Sequence, residues 1–169
     1  MPIRDAILPE FDHEMETTRK TLERVPEDKP DWKPHETSMT ISRLAGHIAE
    51  LVGFGTMTFQ GNSFDFAPGG KSQMQPTVMT SRKQLLEIFD KNVASTRAAI
   101  TKASDEEMQK VWSLMNNGKA MFAMPRIGML RSMVLNHIIH HRGQLSVYLR
   151  MNKAPVPSIY GPSGDEGRM

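Results

Sequence analysis

Between Pro125 and Met151 apolar residues recur at helical spacing, and histidines are set into the stripe itself. On a helical wheel with Ile127 at zero, Leu130, Val134, Ile138, Leu145 and Leu149 fall within roughly 60° of it. A helix with such a face requires other helices to cover it, which already points to a bundle. His141 falls inside the stripe and His137 at its edge, whereas His140 lies about 140° away, toward solvent or a partner. His137 and His141, four residues apart, are one turn apart and about 40° around the axis, so both imidazoles can reach one ion. Histidines at this spacing are commonly held by hydrogen bonds alone, so a metal reading needs a third ligand. His47 supplies a candidate, because it borders the stripe of Leu44, Ile48 and Leu51 on a separate amphipathic segment.

The rest of the chain supplies the covering helices. Phe11, Met15, Thr18, Leu22 and Val25 share one face of a first helix predicted near residues 5 to 25, with Pro9 in or just before its first regular turn. Prolines 26, 30 and 34 punctuate an extended linker holding Trp32 and His35, and a second helix follows from about Thr40 to Phe59. Residues 61 to 76, with three glycines, two prolines, Phe64 and Phe66, read as a long irregular connection, either a lid or a packed surface loop. Ser81-x-x-Gln84 offers a capping box for a third helix with Leu85, Phe89, Val93, Thr96 and Ile100 on one face, and Ser104-x-x-Glu107 opens a short helical turn. From Val111 to Met124 two apolar runs flank Asn116-Asn117-Gly118-Lys119, the chemistry of a tight hairpin turn. A small β-ribbon or irregular loop is expected there. Pro125 suits the first turn of a fourth helix running to about Met151. The expected fold is therefore all-α: one four-helix bundle domain over residues 1–169, with long connections and a small β-hairpin between helices three and four. The proline-rich tail from Ala154 to Glu166 is too turn-rich for another long helix. It either folds back over the bundle or brings Tyr160 or Asp165 to a pocket.

Composition narrows the function. There is no cysteine, which removes disulfides, thiolate nucleophiles and cysteine-bound zinc, and leaves imidazole and carboxylate as metal ligands. The net charge is only +2, and basic residues are interspersed with acids, as in Arg82-Lys83…Glu87…Asp90-Lys91, so a nucleic-acid partner is not expected. No apolar run approaches the ~18 residues of a membrane span, and the start carries an acid and two prolines where a signal peptide needs its apolar core. A cytoplasmic protein without a membrane partner is expected. Most of the fourteen methionines recur at helical spacing, as Met129 and Met133 do, and read as adaptable core filling.

Three neutral imidazoles would leave an ion its full charge and open coordination positions, the arrangement of a catalytic site. The ligand set suits zinc, nickel or ferrous iron over magnesium or calcium. Gln144 and Tyr148 lie on the same side of the last helix as His137 and His141 and can orient a ligand or substrate. Glu50, one turn after His47, can accept that ring's other hydrogen or act as a base. Arg142 can pair with an acid. Gly143 costs helix propensity, which suggests close approach of a neighbouring helix.

The order of these features, one histidine inside the second helix, about ninety residues of bundle, then HxxxHRGQL at His137 to Leu145 with Tyr148, Leu149 and Arg150 behind it, resembles the DinB family of metal-dependent enzymes. The Pro157-to-Asp165 tail fits as well, so the resemblance spans nearly the whole chain. It carries the family's metal-binding histidines onto His47, His137 and His141, the residues that helical geometry also selects. It implies a four-helix bundle with a long crossover connection, zinc or nickel in the site, and a homodimer. Relatives built on the same bundle include thiol-dependent S-transferases and maleylpyruvate isomerase, which implies a small-molecule substrate, with a low-molecular-weight thiol as candidate partner. The expectation is a metal-dependent transferase or hydrolase. The alternative is a non-catalytic, stress-associated bundle that binds a metal or small ligand.

Overall fold

The computed structural model describes residues 1–167; the last two residues of the expected domain, 168 and 169, lie outside the described residues. Four long helical segments form the bundle: α1 (Ile3–Leu22), α2 (Ile41–Thr58), α3 (Arg82–Lys102) and the C-terminal segment ending in α6 (Asn136–Met151). Between them lie the short helices α4 (Asp105–Gln109) and α5 (Arg126–Met129) and a three-stranded sheet. Around the bundle α1 packs on α3, α3 on α2, α2 on α6, and α6 back on α1. The chain therefore crosses the bundle diagonally from α1 to α2 and again from α3 to α6, and α2 and α6 become neighbours.

Local chemistry sets the boundaries. Thr40 caps α2 by accepting from the Arg43 N–H, Ser81 caps α3 by accepting from Gln84, and Ser104 caps α4 by accepting from Glu107. The reciprocal half of the Ser81 box is displaced by one residue, since the Gln84 carbonyl oxygen accepts from the Thr80 N–H at 3.2 Å. Helix α1 begins earlier than its apolar pattern suggests, so Pro9 sits inside it and not in its first turn. Pro9 is exposed, and the backbone acceptor it leaves unpaired one turn back, on the exposed Asp5, can be met by water.

The expected fourth helix is not uniform. After α5, residues Leu130–Leu135 form a π-helical turn before regular α-helix resumes at Asn136. A π turn takes in more residues per turn than the 3.6 of a uniform wheel, so phases assigned across it shift. His137 and His141 both lie beyond it in regular α6, which is why their pairing survives. Ile7, Phe11, Leu44, Ile48, Phe89, Ile100, Val134, Ile138, Leu145 and Leu149 are among the side chains of one continuous core.

The hairpin forms as β2 (Val111–Asn116) and β3 (Lys119–Pro125), paired antiparallel, with Asn117 and Gly118 at φ 51° and 76°, the left-handed values of a tight hairpin turn. The 61–76 connection is less irregular than its composition suggests: Ser63–Asp65 form β1, parallel to β2, and Pro68–Gly70 a 3₁₀ turn. The Asp65 carboxylate accepts from the backbone N–H groups of Asn117 and Gly118, tying the connection to the hairpin tip. Gly143 faces open space, with nothing within 4 Å of where a Cβ would sit, so no helix approaches it and nothing in the structure explains the glycine. Among the described residues no helix is long and apolar enough to cross a membrane.

Candidate metal centre

Because α2 and α6 are neighbours, His47 faces His137 and His141 across their contact. One ring nitrogen from each of the three lies within 4.8 Å of those of the other two. The ring centroids of His141 stand 4.7 Å from both His47 and His137, and those of His47 and His137 are 5.4 Å apart. His140 is exposed; its ring lies 4.8 Å from that of His141, yet it is not one of the three that converge.

The surroundings of the three rings differ. His141 Nδ1 lies 2.7 Å from Gln144 Oε1, an acceptor, so that nitrogen carries the proton and Nε2 keeps a lone pair. His47 Nδ1 faces Glu50 Oε2 at 3.5 Å; it is buried and reaches no hydrogen-bond partner. The Met133 backbone, in the π-helical turn, acts on His137 in the sense that favours its charged form. Three imidazoles with converging ring nitrogens, two of which have the other nitrogen facing a side-chain oxygen, are a donor set able to hold a divalent ion.

Electrostatics favour neutral rings at His137 and His141. Burial pushes the His141 pKa down to about 4, against the hydrogen bond to Gln144, and the neighbouring histidines lower it further. Burial and the charges of His47 and His140 lower that of His137 as well. Glu50 behaves oppositely: burial alone would raise its pKa, but His47, the Thr77 backbone and Arg43 together hold it at about 2. Arg43 Nη2 is 3.1 Å from Glu50 Oε2, and Glu50 Oε1 accepts a short hydrogen bond from the Thr77 N–H.

Of the residues expected around the triad, Gln144 and Glu50 are in contact with, or facing, a ligand ring. Tyr148 is committed to the linker after α1: it packs edge-on against Trp32 at 5.3 Å, and its hydroxyl donates to the Met39 carbonyl at 3.4 Å. Arg142 pairs, as an acid-seeking residue should, with buried Glu14 at 2.7 Å, and the tail folds back so that the Tyr160 hydroxyl reaches Glu14 at 2.9 Å. Asp165 pairs with Arg150 instead of lining the centre. Sequence reading missed Arg43 and Thr77. Arg43 had a signal, since Arg43, His47 and Glu50 share one helix face at i, i+4 and i+7; Thr77, thirty residues on, had none.

The family profile of the DinB family matches residues 4–168. This chain belongs to the DinB family. The DinB chain is similar to the uncharacterized protein YrdA of Bacillus subtilis strain 168, with 26% identity over 166 residues that cover 96% of this chain and 90% of that one. Among solved structures it is similar to a DinB-like protein from Bacillus cereus ATCC 10987, with 23% identity, a TM-score of 0.70, and coverage of 94% of this chain and 98% of that one. A second, the DinB-like protein YjoA of Bacillus subtilis, has 19% identity and a TM-score of 0.67, with 94% of this chain and 99% of that one covered. These likenesses support the helical bundle with its small sheet.

Proposed function

We propose that His47, His137 and His141 hold a divalent ion, zinc or nickel before iron, and that this DinB protein is a metal-dependent enzyme of transferase or hydrolase type acting on a small molecule. The observation that carries the reading is the convergence of three imidazole nitrogens within 4.8 Å, drawn from two helices of the bundle. A three-imidazole divalent ion with an open position acidifies bound water or thiol and polarises a carbonyl.

The chain's own residues prepare that chemistry. Gln144 fixes the tautomer of His141, and Glu50 faces the corresponding nitrogen of His47. With a pKa near 2 and its oxygens turned to Thr77 and Arg43, Glu50 is a weak base and is suited to orienting His47. Burial keeps His141 neutral and able to ligate at neutral pH.

The test is metal analysis of protein purified without an immobilised-metal column, which could itself load the site. Wild type and His140→Ala should carry stoichiometric divalent metal, and His47→Ala, His137→Ala and His141→Ala should each fall to background. Unchanged metal in those three variants sinks the assignment. A screen of small thiols with electrophiles, and of hydrolysable esters and amides, then addresses the reaction. Stoichiometric metal with no metal-dependent turnover would favour a non-catalytic binding role.

A further inference from the structure

Glu50 stands between His47 and the segment that follows β1 and its 3₁₀ turn, bonded to the segment and facing the histidine. Its Oε1 accepts from the Thr77 N–H, while Oε2 faces His47 Nδ1 at 3.5 Å and the Arg43 guanidinium at 3.1 Å. Arg43 in turn donates to the Thr77 carbonyl at 3.2 Å. Both polar groups of one residue in the 71–80 connector are thus held by side chains that flank His47 on α2. The connector also lies directly on the helix there: a Cβ on Gly46 would stand 2.2 Å from the Thr77 carbonyl oxygen. Beside this contact is a cleft of ≈ 380 Å³ with Glu50, Thr77 and Met74 on one side and Ile88, Asn92 and Ser95 of α3 on another. The connector is a wall of that cleft, and Glu50 is the point where the wall meets the histidine cluster.

The bond that is missing is informative. His47 Nδ1 is buried without a partner, about 0.3 Å beyond hydrogen-bonding range of Glu50. An ion on the other ring nitrogen would fix the proton on Nδ1, make it more acidic and a better donor, and turn it toward the carboxylate. Ordering the carboxylate orders the acceptor of the Thr77 N–H. Resting on the reading that the three histidines bind a divalent ion, we propose that Glu50 is a positioning residue that couples occupancy of that centre to how firmly the 74–80 strap is held on α2 beside the adjoining cleft. Such coupling is reciprocal, so the firmly held strap also holds His47 in its ligating orientation.

Hydrogen–deuterium exchange on the full chain, with and without stoichiometric zinc, tests this when metal content is measured on the same samples. In wild type, zinc should slow exchange in peptides spanning residues 74–80 by about fivefold or more. Glu50→Gln keeps an oxygen for the Thr77 N–H but loses the anion that faces His47, so it should keep the metal-free protection of the strap and lose most of the zinc-dependent slowing. His140→Ala should behave as wild type. Zinc uptake with unchanged exchange at 74–80, or a full zinc effect in Glu50→Gln, overturns the coupling while leaving the metal centre standing. Absence of zinc uptake in wild type overturns the metal reading and the coupling together, and the metal content tells the two failures apart. Should Glu50→Gln not fold, Arg43→Gln removes the hold on the Thr77 carbonyl and leaves Glu50 against His47. The zinc-dependent slowing must then fall by at least about threefold, or the proposal is wrong.

Discussion

His141 is 7% exposed, and burial pushes its pKa down to about 4, whereas an unfolded histidine titrates near 6.5. Between those values the unfolded chain binds a proton that the folded chain does not. The metal-free protein should therefore lose stability as pH falls from about 6.5 toward about 4, by up to roughly 1.4 kcal/mol per pH unit from this one group, with His137 adding in the same direction. Above that window the contribution is flat. Chemical denaturation of metal-free wild type and His141→Gln at about pH 7 and about pH 4.5 reads the difference; equal pH slopes would show that His141 is not buried as described. The pair His137 and His141 was legible from spacing, because regular α-helix places i and i+4 together. The buried pair of Glu14 and Arg142, reached by the hydroxyl of the largely exposed Tyr160, was not, since these residues come from separate stretches of chain and meet only in the fold. Glu14→Ala leaves the Arg142 guanidinium, 1% exposed, without its counter-ion. A loss of about 3–5 kcal/mol on urea denaturation is expected, and a loss below about 1 kcal/mol would mean the tail and water replace the pair.

At the scale of elements, amphipathic period and capping residues exposed the long helices and Asn117-Gly118 exposed the hairpin, because those signals are local. The three-residue strand β1 is too short for alternation to register, and its pairing with β2 is set some fifty residues away, as in Ser63 opposite Ser113. The π-helical turn likewise has no local pattern of its own. Helix α2 lies close to α3 where Gly55 meets Thr96: a Cβ on Gly55 would stand 2.2 Å from the Thr96 methyl. Thr96 is held in place, since its hydroxyl donates to the Val52 carbonyl at 2.7 Å. Gly55→Ala should therefore cost about 1–3 kcal/mol despite the better helix propensity of alanine. Thr96→Ser removes the methyl and keeps the hydroxyl, so the double variant should be less destabilised than the two singles added together. Strict additivity in denaturation midpoints would place the clash elsewhere.

For the whole molecule, the diagonal crossings build the histidine cluster, because they make α2 and α6 neighbours and so bring His47 to a pair of histidines some ninety residues away. The family likeness anticipated that meeting; composition could not. An ion held by both helices joins elements far apart in the chain, and by mass action it stabilises only the folded state. At a free metal concentration near a hundred times Kd the gain is about 2.7 kcal/mol. For a chain of this length that corresponds to a Tm rise of about 5–10 °C over chelator-treated protein. His47→Ala should remove the rise as fully as His141→Ala, although one lies on α2 and the other on α6, because an ion tied to one helix alone no longer joins the two. His140→Ala should keep it. A metal-induced rise that survives His47→Ala but not His141→Ala would describe a site confined to α6, and would return the histidine cluster to the two-residue pattern visible in the sequence.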